Sequence, residues 1–103
     1  MSIEYTIHFV NSIKHGKKTR PAKLFVDAGD RVRWMNDSPD TVNFRFPSAL
    51  NLFTTNPDGT KLDHSKSVTY DVKQNATAGP YRYKVTDNNG QEYKGDSDPE
   101  VDV

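Results

Sequence analysis

The chain has 103 residues with 14 basic and 14 acidic side chains, so its length fits one domain, residues 1–103, and its balanced charge does not favour a nucleic-acid partner. It has no cysteine, which excludes disulfides, thiolate metal sites and a cysteine nucleophile. Apolar residues make up only 33% of it and no apolar run approaches the ~20 residues that a membrane helix needs, so we expect no membrane partner.

The first half of the chain alternates apolar and polar residues, which is the pattern of strands with one buried face. A first strand covers residues 3–10. The polar segment 14–21 ends in a proline, and we expect a loop there. Short strands follow at residues 24–26, 31–36 and 42–46.

The second half begins with an irregular segment, residues 47–66, in which 48–53 are expected to form one helical turn. The segment Asp-Asn-Asn-Gly at 87–90 predicts a type I′ hairpin turn with two positive φ angles. Strand periodicity is found at residues 68–72, 81–85, 91–94 and 101–103.

The whole pattern has about seven or eight strands and no helix long enough to cover a sheet. Turn signals separate the strands at short intervals. Together these features predict an all-β fold, an antiparallel sandwich or barrel.

Three stretches resemble the cupredoxins, the small Greek-key sandwiches of blue-copper proteins. Residues 24–36, Leu-Phe-Val-Asp-Ala-Gly-Asp-Arg-Val-Arg-Trp-Met-Asn, are similar to the family's strand, Ala-Gly-Asp turn and strand. Residues 39–44, Pro-Asp-Thr-Val-Asn-Phe, resemble the segment with the first histidine ligand, and 78–85, Ala-Gly-Pro-Tyr-Arg-Tyr-Lys-Val, the strand that carries the cysteine ligand. The resemblance covers residues 22–103 and implies a cupredoxin-like, Greek-key antiparallel β-sandwich.

The resemblance does not extend to the copper ligands. A blue-copper site needs a thiolate, two imidazoles and usually an axial thioether. By the resemblance, Asp40 takes the place of the first histidine and Val85 that of the cysteine, while Asn88 lies near the place of the second histidine and Tyr93 near that of the methionine. The resemblance therefore implies a domain without copper, and we expect no cofactor.

An immunoglobulin-like sandwich is the alternative fold. It also has a buried tryptophan, for which Trp34 is available, and a Tyr-x-Cys strand, for which Tyr83-Lys84-Val85 is available. The stretches at 28–36 and 39–44 favour the cupredoxin-like fold.

A metal site built from histidines and carboxylates is the alternative function. Its histidines would be His8, His15 and His64, but nothing in the local sequence brings them together, and we expect surface histidines. Oxygen-rich residues at 87–92 and 95–100 suggest calcium, yet neither segment has EF-hand spacing. A hairpin turn and a solvated tail explain them.

Catalysis and phosphate binding have little support. The chain has no Gly-x-Ser-x-Gly elbow, and the pair Asp96 and Asp98 alternates outward, so we do not expect an enzyme. The basic segment Lys14–Arg20 lacks interleaved aromatic residues and is expected to be a solvated loop. No basic segment followed by an apolar stretch begins the chain, and we expect a cytoplasmic location.

We therefore expect a non-catalytic binding domain whose partner is a protein or a second copy of the chain. Loops at one end of a rigid sandwich can vary without loss of core stability. The predicted partner surface consists of the loops holding Asp40, Asn88 and residues 47–66. Apolar residues in that segment either cap the core, which we favour, or form a partner patch. These residues are Leu50, Leu52 and Phe53.

Overall fold

Strands form where apolar and polar residues alternate, because that period turns one face of each strand towards the core. The computed structural model describes residues 2–95 and 98–103, and within these ranges it has ten strands and one 3₁₀ turn, η1. The elements are β1 Glu4–Ser12, β2 Gly16–Arg20, β3 Lys23–Phe25, β4 Arg31–Asn36, β5 Val42–Arg45, η1 Ala49–Asn51, β6 Lys61–Leu62, β7 Ser67–Asp71, β8 Pro80–Arg82, β9 Lys84–Thr86 and β10 Glu100–Asp102. None of the helical structure in the described ranges could cross a bilayer.

The strands assemble into three small sheets, in the orders β2-β1-β4-β7, β3-β10-β8 and β6-β5-β9. The predicted all-β architecture is confirmed. The strands are shorter and more numerous than expected, partly because residues 80–86 cross from one sheet to another at Tyr83. Two pairings, β1 with β4 and β3 with β10, are parallel, so the sheets are mixed rather than purely antiparallel.

Trp34 lies at the centre of the core. Its ring is fully buried and packs edge-on against five other aromatic rings, with centroids 5.4–6.4 Å away. Edge-to-face packing is the preferred arrangement of aromatic rings. The five partners are Phe44, Phe46, Phe53, Tyr70 and Tyr83. One side chain of β4 therefore holds together β5, β7, the segment after η1 and the crossing at Tyr83.

The prediction of a loop at residues 14–21 is wrong, because Gly16–Arg20 forms β2, antiparallel to β1. An edge strand has to bury only a few side chains, so a polar composition is no obstacle. In β2 the buried residue is Thr19, whose Oγ1 donates a hydrogen bond of 2.7 Å to the carbonyl oxygen of Tyr93.

The prediction of a type I′ turn at residues 87–90 is also wrong. Gly90 has a positive φ of 80°, but Asn89 does not have one. The Asp87 carboxylate fixes a different turn by accepting hydrogen bonds of 2.9 Å from the backbone N–H groups of Asn89 and Gln91. The returning residues pair through single bridges, Thr86 with Glu92 and Lys18 with Lys94.

Candidate functional site

Three loops meet at one end of the sandwich, residues 37–41, 63–66 and 87–91, which we call the loop end. The fully buried Asn36, the last residue of β4, ties two of them together. Its Nδ2 donates to the carbonyl oxygens of Asp40, at 2.7 Å, and Leu62, at 2.8 Å. Its Oδ1 accepts a hydrogen bond of 3.0 Å from the backbone N–H of Ser38. The backbone around Asp40 is therefore held in place from β4.

A cluster of polar side chains joins the third loop to the first two. The ammonium of Lys17 donates to Oδ2 of Asp87 and, at 2.8 Å, to Oε1 of Gln91. It also lies 3.7 Å from Oδ2 of Asp40, the atom that accepts a hydrogen bond from the Tyr93 hydroxyl. We call these five residues the Lys17 cluster.

The local fold orients each member of the Lys17 cluster. Lys17 and Thr19 share one face of β2, and Thr19 holds the backbone of Tyr93 next to that strand. The Tyr93 ring is fully buried and lies edge-on to Phe9, with centroids 6.1 Å apart. The backbone N–H of Tyr93 donates 2.8 Å to the carbonyl oxygen of Val85. These contacts leave the phenolic hydroxyl pointing at Asp40.

Charge and burial determine the protonation of the Lys17 cluster. The hydrogen bond to Asp87 raises the pKa of Lys17, and the same bond, helped by the backbone N–H of Gln91, lowers the pKa of Asp87. Burial, and then the hydrogen bond to Asp40, raise the pKa of Tyr93. At neutral pH the cluster therefore holds an ammonium between two carboxyl groups and a phenol that acts as a donor.

Two members of the cluster, Asp40 and Tyr93, occupy positions that the family resemblance assigns to copper ligands, but the chemistry of the cluster does not fit copper. Asp40 and Tyr93 are joined directly to each other, while Val85 is fully buried and offers no donor. Asn88 is exposed, and its Oδ1 accepts a 3.1 Å hydrogen bond from Asn43. An ammonium between the carboxyl groups repels a metal ion, and blue copper needs thiolate and imidazole rather than oxygen ligands.

The structure does not bring the three histidines together. Nδ1 of His8 lies 2.7 Å from Oδ2 of Asp37, and Nδ1 of His64 lies 2.6 Å from the carbonyl oxygen of Ser38. His15 lies in the turn between β1 and β2. No group of three or more histidine and acidic side chains within residues 2–95 and 98–103 is arranged to hold a metal ion.

The acidic segment considered for calcium has other contacts. Asp98 lies 3.4 Å from the ammonium of Lys94. Glu100 lies between Lys23, at 3.6 Å, and Arg82, at 3.5 Å. Asp96 and Ser97 fall outside the described residues.

The prediction of a partner surface that includes Leu52 and Phe53 is wrong, because both side chains are fully buried. They cap the core, and the Phe53 ring packs against Trp34 with centroids 5.7 Å apart. Leu50 is 58% exposed. Apolar residues in an irregular segment are thus drawn into the core wherever the chain can reach it.

Leu50 also lies far from Asp40 and Asn88. The Leu52 carbonyl oxygen accepts a 2.8 Å hydrogen bond from the backbone N–H of Lys73, two residues beyond the end of β7. That end of β7 pairs with Arg31, at the start of β4, whereas the loop end lies beyond the end of β4. The three candidates that are not buried, Leu50, Asp40 and Asn88, therefore belong to opposite ends of the sandwich.

The sequence-based prediction missed two residues at or beside the loop end. Lys17 belongs to a segment predicted to be a solvated loop. The spacing of two between Lys17 and Thr19 could have indicated a strand with both side chains on one face. Ile13, at the tip of the β1–β2 hairpin, is fully exposed. The hairpin extends past Asn36, the partner of Phe9, so its tip overhangs the loop end.

Comparisons with known proteins identify the fold. No family model and no curated protein matches the sequence. A purple cupredoxin from Nitrosopumilus maritimus superimposes with a TM-score of 0.61 at 16% identity, covering 95% of this chain and 97% of that one. A mutant of amicyanin in its reduced Cu(I) form gives 0.56 at 18%, covering 95% and 81%. The native pseudoazurin from Hyphomicrobium denitrificans gives 0.55 at 18%, covering 97% and 74%.

These superpositions establish a shared fold, and they support the cupredoxin-like prediction over the immunoglobulin-like alternative. The sequence itself contains no cysteine. The chain therefore has the cupredoxin fold, without the ligands that a blue-copper site requires.

Proposed function

We propose that this chain is a copper-free, cupredoxin-fold domain that binds a protein partner and catalyses no reaction. The observation that carries the proposal is the Lys17 ammonium, which lies between Asp40 and Asp87 at the loop end. A positive charge supplied by the chain itself satisfies the carboxyl groups that a metal ion would otherwise attract. The scaffold is thereby freed from a requirement for metal.

The residues at the other ligand positions support the same proposal. Electron transfer in a blue-copper site depends on a thiolate and on the polar groups around it. Val85 is apolar and fully buried, and the Tyr93 phenol is protonated at neutral pH and remains so at higher pH because its pKa is raised. Neither side chain is suited to hold a redox metal.

The loop end supplies the proposed partner surface, corrected for the burial of Leu52 and Phe53. Its exposed groups are the amide of Asn88 and, in part, the carboxyl group of Asp40, and the exposed apolar side chain of Ile13 lies beside them at the tip of the β1–β2 hairpin. An exposed apolar anchor beside polar groups is the usual composition of a binding patch. Because Asn36 and Lys17 hold the loops in place, little conformational entropy is lost on binding.

Metal loading tests the copper-free part of the proposal. Cu(II) and then Zn(II) are titrated into the purified chain, and visible absorption and the melting temperature are recorded. We expect no intense visible band and no rise in Tm, because a ligand that binds only the folded state would raise it. A strong band with copper, or a marked rise in Tm with zinc, contradicts the proposal.

Site-specific photocrosslinking tests the binding part. A photoreactive amino acid is placed at Ile13, at Asn88, or at the exposed Leu50 on the opposite end as the matched control. We expect one protein to be crosslinked from the first two positions and not from the third. Equal crosslinking from all three positions, or none from the loop end, would refute the proposed surface.

A further inference from the structure

A groove lies on the outer surface where the chain crosses from β8 to β9, and none of its lining residues belongs to the Lys17 cluster. Its volume is about 320 Å³. This is near the lower limit of ligand pockets, ~300 Å³, and is enough for one or two amino-acid side chains. The groove is lined by Arg45, Pro47, Arg82, Tyr83, Lys84 and Asp98.

Three cations share this surface because of the strand register. Arg45 on β5 lies directly opposite Lys84 on β9. Arg82 points to the same side as Lys84, since the residue between them, Tyr83, is turned into the core and is only 3% exposed. Like charges directly opposite on neighbouring strands destabilise a sheet. The groove therefore has an electrostatic strain that a bound anion would relieve.

The chain's own acidic groups neutralise these cations incompletely. Glu92 is 4.0 Å from Lys84, and Glu100 is 3.5 Å from Arg82. Asp98, the carboxylate that lines the groove, lies 3.4 Å from the ammonium of Lys94 instead. The side chains of Arg82 and Lys84 nevertheless stay 75% and 69% exposed. Arg45 makes no ion pair with any residue in the part of the chain that the structure describes.

The arrangement of charges indicates the shape of the ligand. Arg82 and Lys84 are two positions apart in an extended segment, so their side chains leave the backbone about 6.5 Å apart. Carboxylates on alternate residues of an extended peptide have the same spacing. Between the cations, the exposed Pro47 provides an apolar surface on which a small apolar side chain can rest.

We propose that this groove binds an extended acidic segment of a partner protein, with carboxylates paired to Arg82 and Lys84 and a third contact from Arg45. The groove is a second surface, because Arg45 lies at the end of β5 that is remote from the loop end. Peptide binding at this groove does not depend on the proposed function of the loop end, and the two are tested by different experiments.

Fluorescence anisotropy with a synthetic probe tests the inference. The probe is a short fluorescein-labelled peptide in which glutamate alternates with serine around a central leucine, and the matched peptide has glutamine in place of glutamate. We expect the acidic peptide to bind, its affinity to fall with rising salt, and the glutamine peptide to bind at least about tenfold more weakly. Equal binding of the two peptides, or no binding of the acidic one at low salt, overturns the inference.

Matched variants locate the binding. Arg45→Glu is expected to weaken binding of the acidic peptide at least about tenfold, and Arg45→Gln by a smaller factor. The control is Lys66→Glu, which changes net charge equally in the turn before β7. Arg45→Glu places opposite charges on facing strands, so it is expected to fold, and circular dichroism checks this. Equal losses of affinity in Arg45→Glu and Lys66→Glu would show that the peptide is attracted by net charge alone, and would refute specific binding at the groove.

Two further measurements separate other occupants. A DNA oligonucleotide is titrated in place of the peptide, and sedimentation velocity is run on the wild type and on Arg45→Glu. We expect weaker binding of DNA than of the acidic peptide, and a monomer in both runs. DNA binding that is as tight as peptide binding and is weakened as much by Arg45→Glu would contradict an acidic peptide ligand. A wild-type dimer that Arg45→Glu dissociates would also contradict it.

Discussion

Lys17 and Asp87, which are 70 positions apart in the sequence, form an ion pair at the loop end. The carboxylate of Asp87 also accepts the backbone hydrogen bonds that shape its own turn. One side chain thus links the edge strand β2 to the turn after β9. Since both partners are largely buried, with 19% and 5% of their side chains exposed, their contact is more than a mobile surface pair.

Removal of the cation should destabilise the fold. Lys17→Met leaves the carboxyl groups of Asp40 and Asp87 close together without the ammonium between them, so we expect a clear loss of unfolding free energy in urea at pH 7. The matched control is Lys18→Met, on the other face of β2, which should change stability by no more than ~0.5 kcal/mol. Equal effects of the two substitutions would show that the ion pair does not stabilise the protein.

The contribution of this pair should depend on pH in a defined way. The pKa of Asp87 is lowered from 3.8, so its contribution is present above that pH and is lost as the pH falls through the lowered value. The pKa of Lys17 is raised from 10.5, so its contribution is present below that pH and is lost as the pH rises through the raised value. The stability difference between wild type and Lys17→Met should therefore be constant from about pH 5 to about pH 9 and shrink outside that range.

The hydroxyl of Tyr93 should contribute separately. Tyr93→Phe removes the hydrogen bond to Asp40, and a bond to a charged group contributes about 1.5–3 kcal/mol to stability. Tyr5→Phe is the control, because Tyr5 is half-buried and its hydroxyl has no hydrogen-bond partner within the described residues. Urea denaturation of both variants measures the difference. A loss no larger than that of Tyr5→Phe would show that Asp40 gains nothing from the phenol.

Two leucines in the irregular segment should behave oppositely. Leu52→Ala empties a fully buried site and should lower the free energy of unfolding by about 2–5 kcal/mol. Leu50→Ala, two positions earlier and 58% exposed, should change it by no more than ~0.5 kcal/mol. Thermal melts distinguish the two. A large effect at Leu50 would mean that this side chain is covered in solution.

The central tryptophan provides a fifth test. Its Nε1 donates a buried hydrogen bond of 3.2 Å to the Tyr83 hydroxyl, so Tyr83→Phe leaves a buried donor without a partner. Such an unsatisfied group costs about 1–3 kcal/mol. Urea unfolding followed by tryptophan fluorescence measures this loss. Unchanged stability would show that the Trp34 N–H needs no partner.

Local periodicity predicted much of the fold. The alternation in residues 31–36 placed Val32 and Trp34 in the core, and both are fully buried. The polar β2 could not be recognised in the same way, because an edge strand is stabilised by pairing with β1 rather than by its own apolar residues. The exchange of residues 80–86 between two sheets likewise depends on contacts distant in sequence.

The candidate site was only partly predictable. Asp40 and Asn88 do lie at the loop end, which the family resemblance implied. The contact of Lys17 with Asp40 and Asp87 depends on the pairing of β2, so the sequence could not predict it. The placement of Leu50 failed for a similar reason, since the direction of β5 determines which end of the sandwich the following residues reach.

The position of β10 has a consequence for biosynthesis. This strand is the middle one of its sheet and pairs with β3, from the first quarter of the chain, and with β8. While the ribosome is still making residues 98–103, β3 and β8 have no strand between them, and the apolar side chain of Leu24 lacks its neighbour Val101. The sandwich can therefore close only after residues 98–103 have left the ribosomal tunnel, and until then the nascent polypeptide exposes surface that a chaperone can recognise.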